Sequence, residues 1–208
     1  MAEVVQEIDR AFETDSEIDE LGMVLSSEES VVLVEHKLGI SMAVLKPLFL
    51  YSVTELQKHR DVLLKPVGDI SPSEAALMCS LSRAILLVKG DFPPALNARK
   101  IMIEHGTLCA EREINFLNVV FSKHPKSPSA WHHRRWCLQR LLDGVGKPWN
   151  IKKSASNDSI SFSDVVEQEV GLCERMCDLY PRNYYSWNHR LWLAQHMSTV
   201  KEVTLFIS

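Results

Sequence analysis

Residues 124–139 read HPKSPSAWHHRRWCLQ, and residues 180–195 read YPRNYYSWNHRLWLAQ. Placed one above the other they share the frame P-x5-W-x-H-R-x-W-x2-Q, identical at six of sixteen positions. Four of the chain's five tryptophans fall in this frame, two in each copy, which excludes a chance match of common residues. The stretch is an internal repeat. A third, degraded copy, GDFPPALNARKIMI at 90–103, keeps Asn97 and Arg99 and places Leu96 where the first tryptophan would stand. Matched residues of the copies, Arg99, Arg134 and Arg190, lie 35 and then 56 residues apart, and a period near 35 is what one helical hairpin requires.

At about 100° per residue, Trp131, Arg134, Leu138 and Leu141 fall on one side of a helix and Trp136 near the other. The second copy sets Trp187, Arg190 and Leu191 against Trp192 in the same way. An indole on each side predicts a helix buried on both faces, as in the inner layer of stacked hairpins. Arg99, Arg134 and Arg190 share a face with apolar residues, so each needs acceptors. Glu111, Glu113, Glu167 and Glu169 are the candidate carboxylates, with turn carbonyls as the alternative.

The same logic extends outward from the frame. Ser71-Pro72-Ser73-Glu74 is a capping box with proline at the first helical position, predicting a helix from Pro72 to about Lys89. Gly90 and Pro93-Pro94 stop it, and further helices are expected from near Ala95 to Gly106, from about Leu108 to Lys123 and from Ser129 to Leu142. A polar loop from Asp143 to about Ser161 precedes the last pair, Phe162 to Tyr180 and Tyr184 to about His196. Upstream, Val4, Val5, Ile8, Ala11 and Phe12 recur at helical spacing in an acidic segment, expected to be a weakly docked helix. VVLVEHKLGI at 31–40 predicts a brief extended stretch without a sheet, followed by a helix to Leu64 in which Pro47 lies in the first turn or bends it. The expected architecture is all-α: a right-handed α-α superhelix, or solenoid, of helix-turn-helix repeats. It divides into an N-terminal helical segment at 1–70, repeats at 71–197 and a non-repeat tail at 198–208.

Composition removes several function classes. With 23 Lys+Arg against 27 Asp+Glu in 208 residues, and the basic residues scattered, there is no electrostatic footprint for nucleic acid. The apolar runs fall far short of the roughly 20 residues that span a bilayer, and the acidic N-terminus lacks a signal-peptide pattern, so the cytoplasm is the expected compartment. The five cysteines, at 79, 109, 137, 173 and 177, form no CxxC pair and read as reduced apolar residues. Cys173 and Cys177 share a helix face, but adjacent His132 and His133 diverge, and no metal is predicted in this chain. No Ser-His-Asp or Cys-His constellation and no Gly-rich phosphate loop is identifiable, which argues against a nucleophile-based enzyme acting alone.

With P-x-N-Y ahead of it, the frame W-x-H-R-x-W resembles the repeats of protein prenyltransferase α subunits, the family of the farnesyl- and geranylgeranyltransferases. The likeness covers about 71–197, and VVLVEHKLG at 31–39 resembles the N-terminal part of one of its members. It implies a crescent of helical hairpins around a β subunit that carries zinc and the isoprenoid pocket, with no cofactor in this chain. The family's lysine near the isoprenoid diphosphate stands five residues before the tryptophan, where this chain has Lys126. A cation there would offset charge on the departing diphosphate. In the next turn the family reads Asn-Tyr-His, and this chain reads Asn183-Tyr184-Tyr185, so a tyrosine hydroxyl replaces a histidine; the tyrosine of the earlier turn is here Pro128.

The resemblance implies catalytic positions at Lys126 and Tyr185 and diphosphate or interface positions at Asn183 and Tyr184. The implied activity is transfer of a farnesyl or geranylgeranyl group to a protein cysteine, only in complex with a β subunit, whose isoprenoid diphosphate and protein substrate the chain would meet there. The alternative is a non-catalytic helical-repeat adaptor, or an inactive truncated isoform, that binds protein partners. The tail STVKEVTLFIS does not continue the frame, which predicts a truncated or spliced product of low stability with apolar surface exposed around Trp192 and Leu193.

Overall fold

The computed structural model of the chain describes residues 1–25, 28–144 and 162–197. They divide into two compact units, the first ending at Cys137 and the second beginning at Leu138. The first begins with helix α1 (Ala2–Thr14), strands β1 (Glu20–Val24), β2 (Val31–Val34) and β3 (Lys37–Ser41), and helix α2 (Met42–Lys58), which runs into a 3-10 turn at Arg60–Leu64. Helices α3 (Pro72–Val88), α4 (Pro93–Glu104), α5 (Ala110–Lys123) and α6 (Pro128–Gly144) follow, the last continuing into the second unit, which contains α7 (Phe162–Leu179) and α8 (Tyr184–Met197). The chain is predominantly helical. Most of the expected polar loop at 143–161 and the tail at 198–208 lie outside the described residues.

The repeat helices start and stop where their residues dictate. Ser71 Oγ accepts from the Glu74 amide at 3.3 Å while the Glu74 carboxylate accepts from the Ser71 amide at 3.0 Å, closing the capping box. Pro93 and Pro94 occupy the first turn of α4, where missing amide protons cost nothing, and Gly106, at φ +70°, ends it. Pro47 is the sixth residue of α2, past its first turn, so that helix gives up one backbone hydrogen bond.

The N-terminal segment departs from expectation in two ways. First, α1 is firmly docked: Val4, Val5, Ile8 and Ala11 are buried in the core of the first unit. Asp9 pairs with Arg83 on α3, and the Phe12 ring meets Phe116 on α5 edge-on at 5.9 Å. Second, residues 20–41 form a three-stranded sheet in the order β1-β3-β2, with β1 parallel and β2 antiparallel to β3. Alternate residues of β3 supply its inner face, where Leu38 and Ile40 are fully buried. The Ser122 hydroxyl on α5 accepts from the Leu21 amide at 2.9 Å and ties the sheet's edge to a repeat helix.

The turn joining β2 to β3 places both Glu35 (φ 47°) and His36 (φ 64°) in the left-handed region, as a tight hairpin with right-handed strand twist demands. Neither residue is glycine or asparagine, so the turn is strained. A contact of 2.9 Å between His36 Nδ1 and Asp15 Oδ2 braces it. The hydrogen bond from Asp15 and then its charge raise the His36 pKa above the ordinary 6.5. A raised histidine stabilises the fold fully below the unfolded value, and its contribution is lost as pH rises through the folded value. In an NMR titration, His36 is therefore expected to titrate above an unperturbed histidine in the wild type and to fall back in Asp15→Asn. Amide protection around the turn should decline over the same alkaline-going step.

Candidate functional site

The hairpins α5–α6 and α7–α8 each contain a buried acid. Glu113 on α5 is fully buried and accepts from Arg99 on α4 through Nε at 2.8 Å and NH2 at 2.6 Å, and from His133 Nε2 on α6 at 2.8 Å. The remaining Arg99 nitrogen donates to the Cys79 carbonyl and to Ser82 Oγ, each at 3.2 Å. Burial alone would raise the Glu113 pKa, but the Arg99 guanidinium and the His133 hydrogen bond outweigh it and hold the carboxyl at about 2. Arg99 belongs to one hairpin, and Glu113 and His133 to the next, so the three side chains clamp consecutive repeats together. The second unit repeats the acid–histidine half of this arrangement, with His189 Nε2 at 2.9 Å from Glu169 Oε2 and both residues buried. In each copy the histidine ring stacks on the tryptophan three residues later, His133 on Trp136 at 5.9 Å and His189 on Trp192 at 5.6 Å.

The glutamates were among the carboxylates expected for the arginines, and Arg99 finds one. Arg134 follows the alternative, donating to the Ile114 carbonyl at 3.0 Å, while Arg190 is half-buried on α8. The histidines' role is additional to the expected pattern. It was signalled by a glutamate lying 20 residues before the frame's histidine in both copies.

The residues that the resemblance implies as site positions lie in the inter-helix turns. In the α5–α6 turn, Ser127 Oγ donates to the Gly90 carbonyl at 3.0 Å and accepts from the Ala130 amide, capping α6. His124 Nε2 reaches the Leu87 carbonyl at 2.9 Å, and Trp131 Nε1 donates to the Pro125 carbonyl at 2.9 Å. The turn is thereby fixed both to its own helix and to the preceding α3–α4 turn. This close approach requires glycine at 90, since a Cβ there would stand 2.7 Å from His124 Cβ, the immovable root of that side chain. Gly90→Ala is expected to cost about 1–3 kcal/mol, the usual penalty for overpacking, read as a lower urea midpoint with an unchanged slope.

Lys126 projects from this turn with its side chain exposed, and no carboxylate pairs with it among the described residues. Asn183, Tyr184 and Tyr185 lie together where α8 begins. Asn183 is fully buried, and its Oδ1 accepts from the Tyr185 amide at 3.2 Å, so its carboxamide caps the helix. Tyr184 is 71 % exposed and Tyr185 half-buried, with ring centres 6.3 Å apart. Lys126 belongs to the first unit and these three residues to the second.

The signature tryptophans differ between copies. Trp131 is 2 % exposed and stacks on Phe121 at 4.1 Å, whereas Trp187 is 50 % exposed, contrary to the expected burial of both. In the repeat register Cys177 stands where the first copy has Phe121, so the second indole has no ring beneath it. The apolar surface expected around Trp192 and Leu193 is also displaced. Leu193 is buried and Trp192 half-buried, while the exposed stripe of α8 is Tyr184, Trp187 and Leu191, spaced three and four apart. Cys137, Cys173 and Cys177 are buried, and burial pushes the Cys137 thiol up, away from thiolate chemistry. Among the described residues no group of three His, Cys, Asp or Glu side chains is arranged to hold a metal, and no helix is long and apolar enough to cross a membrane.

Successive paired helices, a buried acid–histidine pair in two of the hairpins, and turns that cap the following helix define a protein of helical-hairpin repeats. The family model described as protein prenyltransferase alpha subunit repeat matches residues 110–141 and 166–197, the two hairpins that carry the frame. The chain belongs to the protein prenyltransferase alpha subunit repeat family. Protein prenyltransferase alpha subunit repeat-containing protein 1-A of Xenopus laevis is 34 % identical over 97 % of this chain and 47 % of that protein. Protein prenyltransferase alpha subunit repeat-containing protein 1 of Homo sapiens is 31 % identical over 94 % of this chain and 48 % of its own length. Geranylgeranyl transferase type-2 subunit alpha of Rattus norvegicus is 26 % identical over 55 % of this chain and 18 % of that protein. The chain spans about half the length of the first two relatives.

Proposed function

We propose that the chain acts as the α subunit of a protein prenyltransferase: it pairs in the cytoplasm with a β subunit and supports transfer of a farnesyl or geranylgeranyl group from its diphosphate to a protein cysteine. The supporting observation is Lys126, an unpaired exposed ammonium on a turn locked by Ser127, His124 and Trp131. A cation held in place before the reaction lowers the barrier because no reorganisation is needed as charge develops on the leaving diphosphate. Tyr185 would add a neutral hydroxyl donor. The isoprenoid pocket and any zinc belong to the partner in this reading, and the chain itself supplies only position and charge.

A second reading, a non-catalytic adaptor that binds a protein partner through its repeats, is favoured by Asn183. Its carboxamide is engaged in capping α8 and is buried from solvent. Co-expression with prenyltransferase β subunits, followed by size-exclusion chromatography, separates the two. A stable one-to-one complex with a β subunit supports the enzyme-subunit reading, and elution of the chain apart from every β subunit favours the adaptor.

A further inference from the structure

A cavity of about 790 Å³ opens beside the end of α1, between the first halves of α3 and α5. Its α3 wall is the stripe Pro72, Ala76, Cys79 and Arg83, spaced four, three and four apart. That stripe spans about 16 Å at 1.5 Å per residue, and its first three members are small. The facing α5 wall carries Phe116 in its floor, with Arg112 and Asn115 exposed at the mouth. Small residues on one helix and a ring on the other leave room for side chains from a third element.

The molecule already shows what such an element looks like. Helix α1, acidic through Glu3, Glu7, Asp9 and Glu13, packs beside the same two helices, setting Asp9 on Arg83 and Phe12 against Phe116. Past the end of α1 the groove is lined by Ser16, Ile18, Ile70 and Leu108, and there Arg112 has no carboxylate partner among the described residues. The other guanidiniums of the groove are already neutralised, Arg83 by Asp9 and Arg99 by Glu113. One unpaired cation above an apolar floor, with Glu13 at the mouth, matches a single carboxylate beside a large apolar side chain better than a phosphate-rich surface.

We propose that this groove docks an acidic amphipathic segment of a partner protein, seated in continuation of α1. One carboxylate pairs with Arg112, and one large apolar side chain enters between Ala76 and Phe116. The site lies in the first unit, apart from the Lys126 turn, and does not depend on the activity proposed above.

The test is selection of a phage-displayed library of random twelve-residue peptides on the full chain. The leading peptide is then synthesised with a fluorescent label and titrated by polarisation. Sedimentation with phosphatidylcholine vesicles containing phosphatidylserine runs in parallel. Enriched peptides should combine Asp or Glu with a large apolar residue three or four positions away. Binding should weaken about tenfold or more, 1.4 kcal/mol per tenfold, in Arg112→Glu and in Ala76→Trp, which fills the groove, and should hold in Lys123→Glu at the far end of α5. Arg112 and Ala76 are exposed, so the variants are expected to melt like the wild type, and Arg112→Gln serves as the milder check. Peptides lacking acidic residues, or binding indifferent to both substitutions, would overturn the proposal. So would vesicle binding that the same substitutions abolish with no acidic peptide enriched.

Discussion

Glu113→Ala is expected to destabilise the first unit by about 3–5 kcal/mol, the cost of leaving a buried charge without its partner. Arg99 and His133 are fully buried around that carboxylate, and neither can turn to water without opening the packing between two hairpins. Set against a typical domain stability of about 5–15 kcal/mol, the loss would be read as a large fall in the urea midpoint. Replacing Arg99, Glu113 and His133 together by apolar residues of similar volume should recover much of it, because the penalty lies in the unpaired charge and not in the missing pair. The sign of the pH dependence follows from the same site. The folded carboxyl is held at about 2 against an ordinary 4.5, so its stabilisation is fully present above the unfolded value and is lost as pH falls through about 2. Acid unfolding of the wild type should therefore extend well below pH 4.5, and Glu113→Gln should flatten that limb of the stability curve.

The second large effect separates the two copies of the frame. Trp131→Ala is expected to cost about 3–5 kcal/mol, since it empties a buried site and removes both the stack on Phe121 and the hydrogen bond to the Pro125 carbonyl. Trp187→Ala should cost less than about 1 kcal/mol, because half of that indole is already in water. Residues at identical places in the frame thus differ severalfold in their contribution, a contrast that parallel urea titrations of the two variants would reveal. Equal losses would mean that the indole at 187 is covered in solution.

The difference between these tryptophans marks how far the amino-acid order could be read. Local signals were legible: the capping box at Ser71, the prolines opening α4 and the glycine closing it, and the repeated frame that marks the hairpins. These depend on residues within one helical turn of each other or on direct repetition. Burial of Trp131 depends on Phe121, outside the frame, and the loss of that ring at Cys177 is a substitution the frame does not register. The sheet was missed for a related reason. Its β1 strand carries Gly22 and pairs in parallel with β3, from which β2 separates it in the chain, so no local alternation announces it. The strained Glu35–His36 turn likewise lacks the Asn-Gly that usually marks a two-residue hairpin.

The candidate site was legible in part. Lys126 could be placed on a turn because Pro125 and Pro128 flank it, and it stands there exposed. That the turn is locked against Gly90 could not be anticipated, because it rests on a contact between segments 37 residues apart in the chain. Asn183 was read both as a site residue and as a cap, and its hydrogen bond to the Tyr185 amide is that of a cap.

Transfer of radiolabelled farnesyl or geranylgeranyl diphosphate to a cysteine-bearing protein, by the purified complex of this chain with a β subunit, tests the central claim most directly. The account predicts transfer above that of the β subunit alone, falling about tenfold or more in Lys126→Ala while the complex stays intact. A complex that forms yet transfers nothing, or transfers equally well without Lys126, would contradict it.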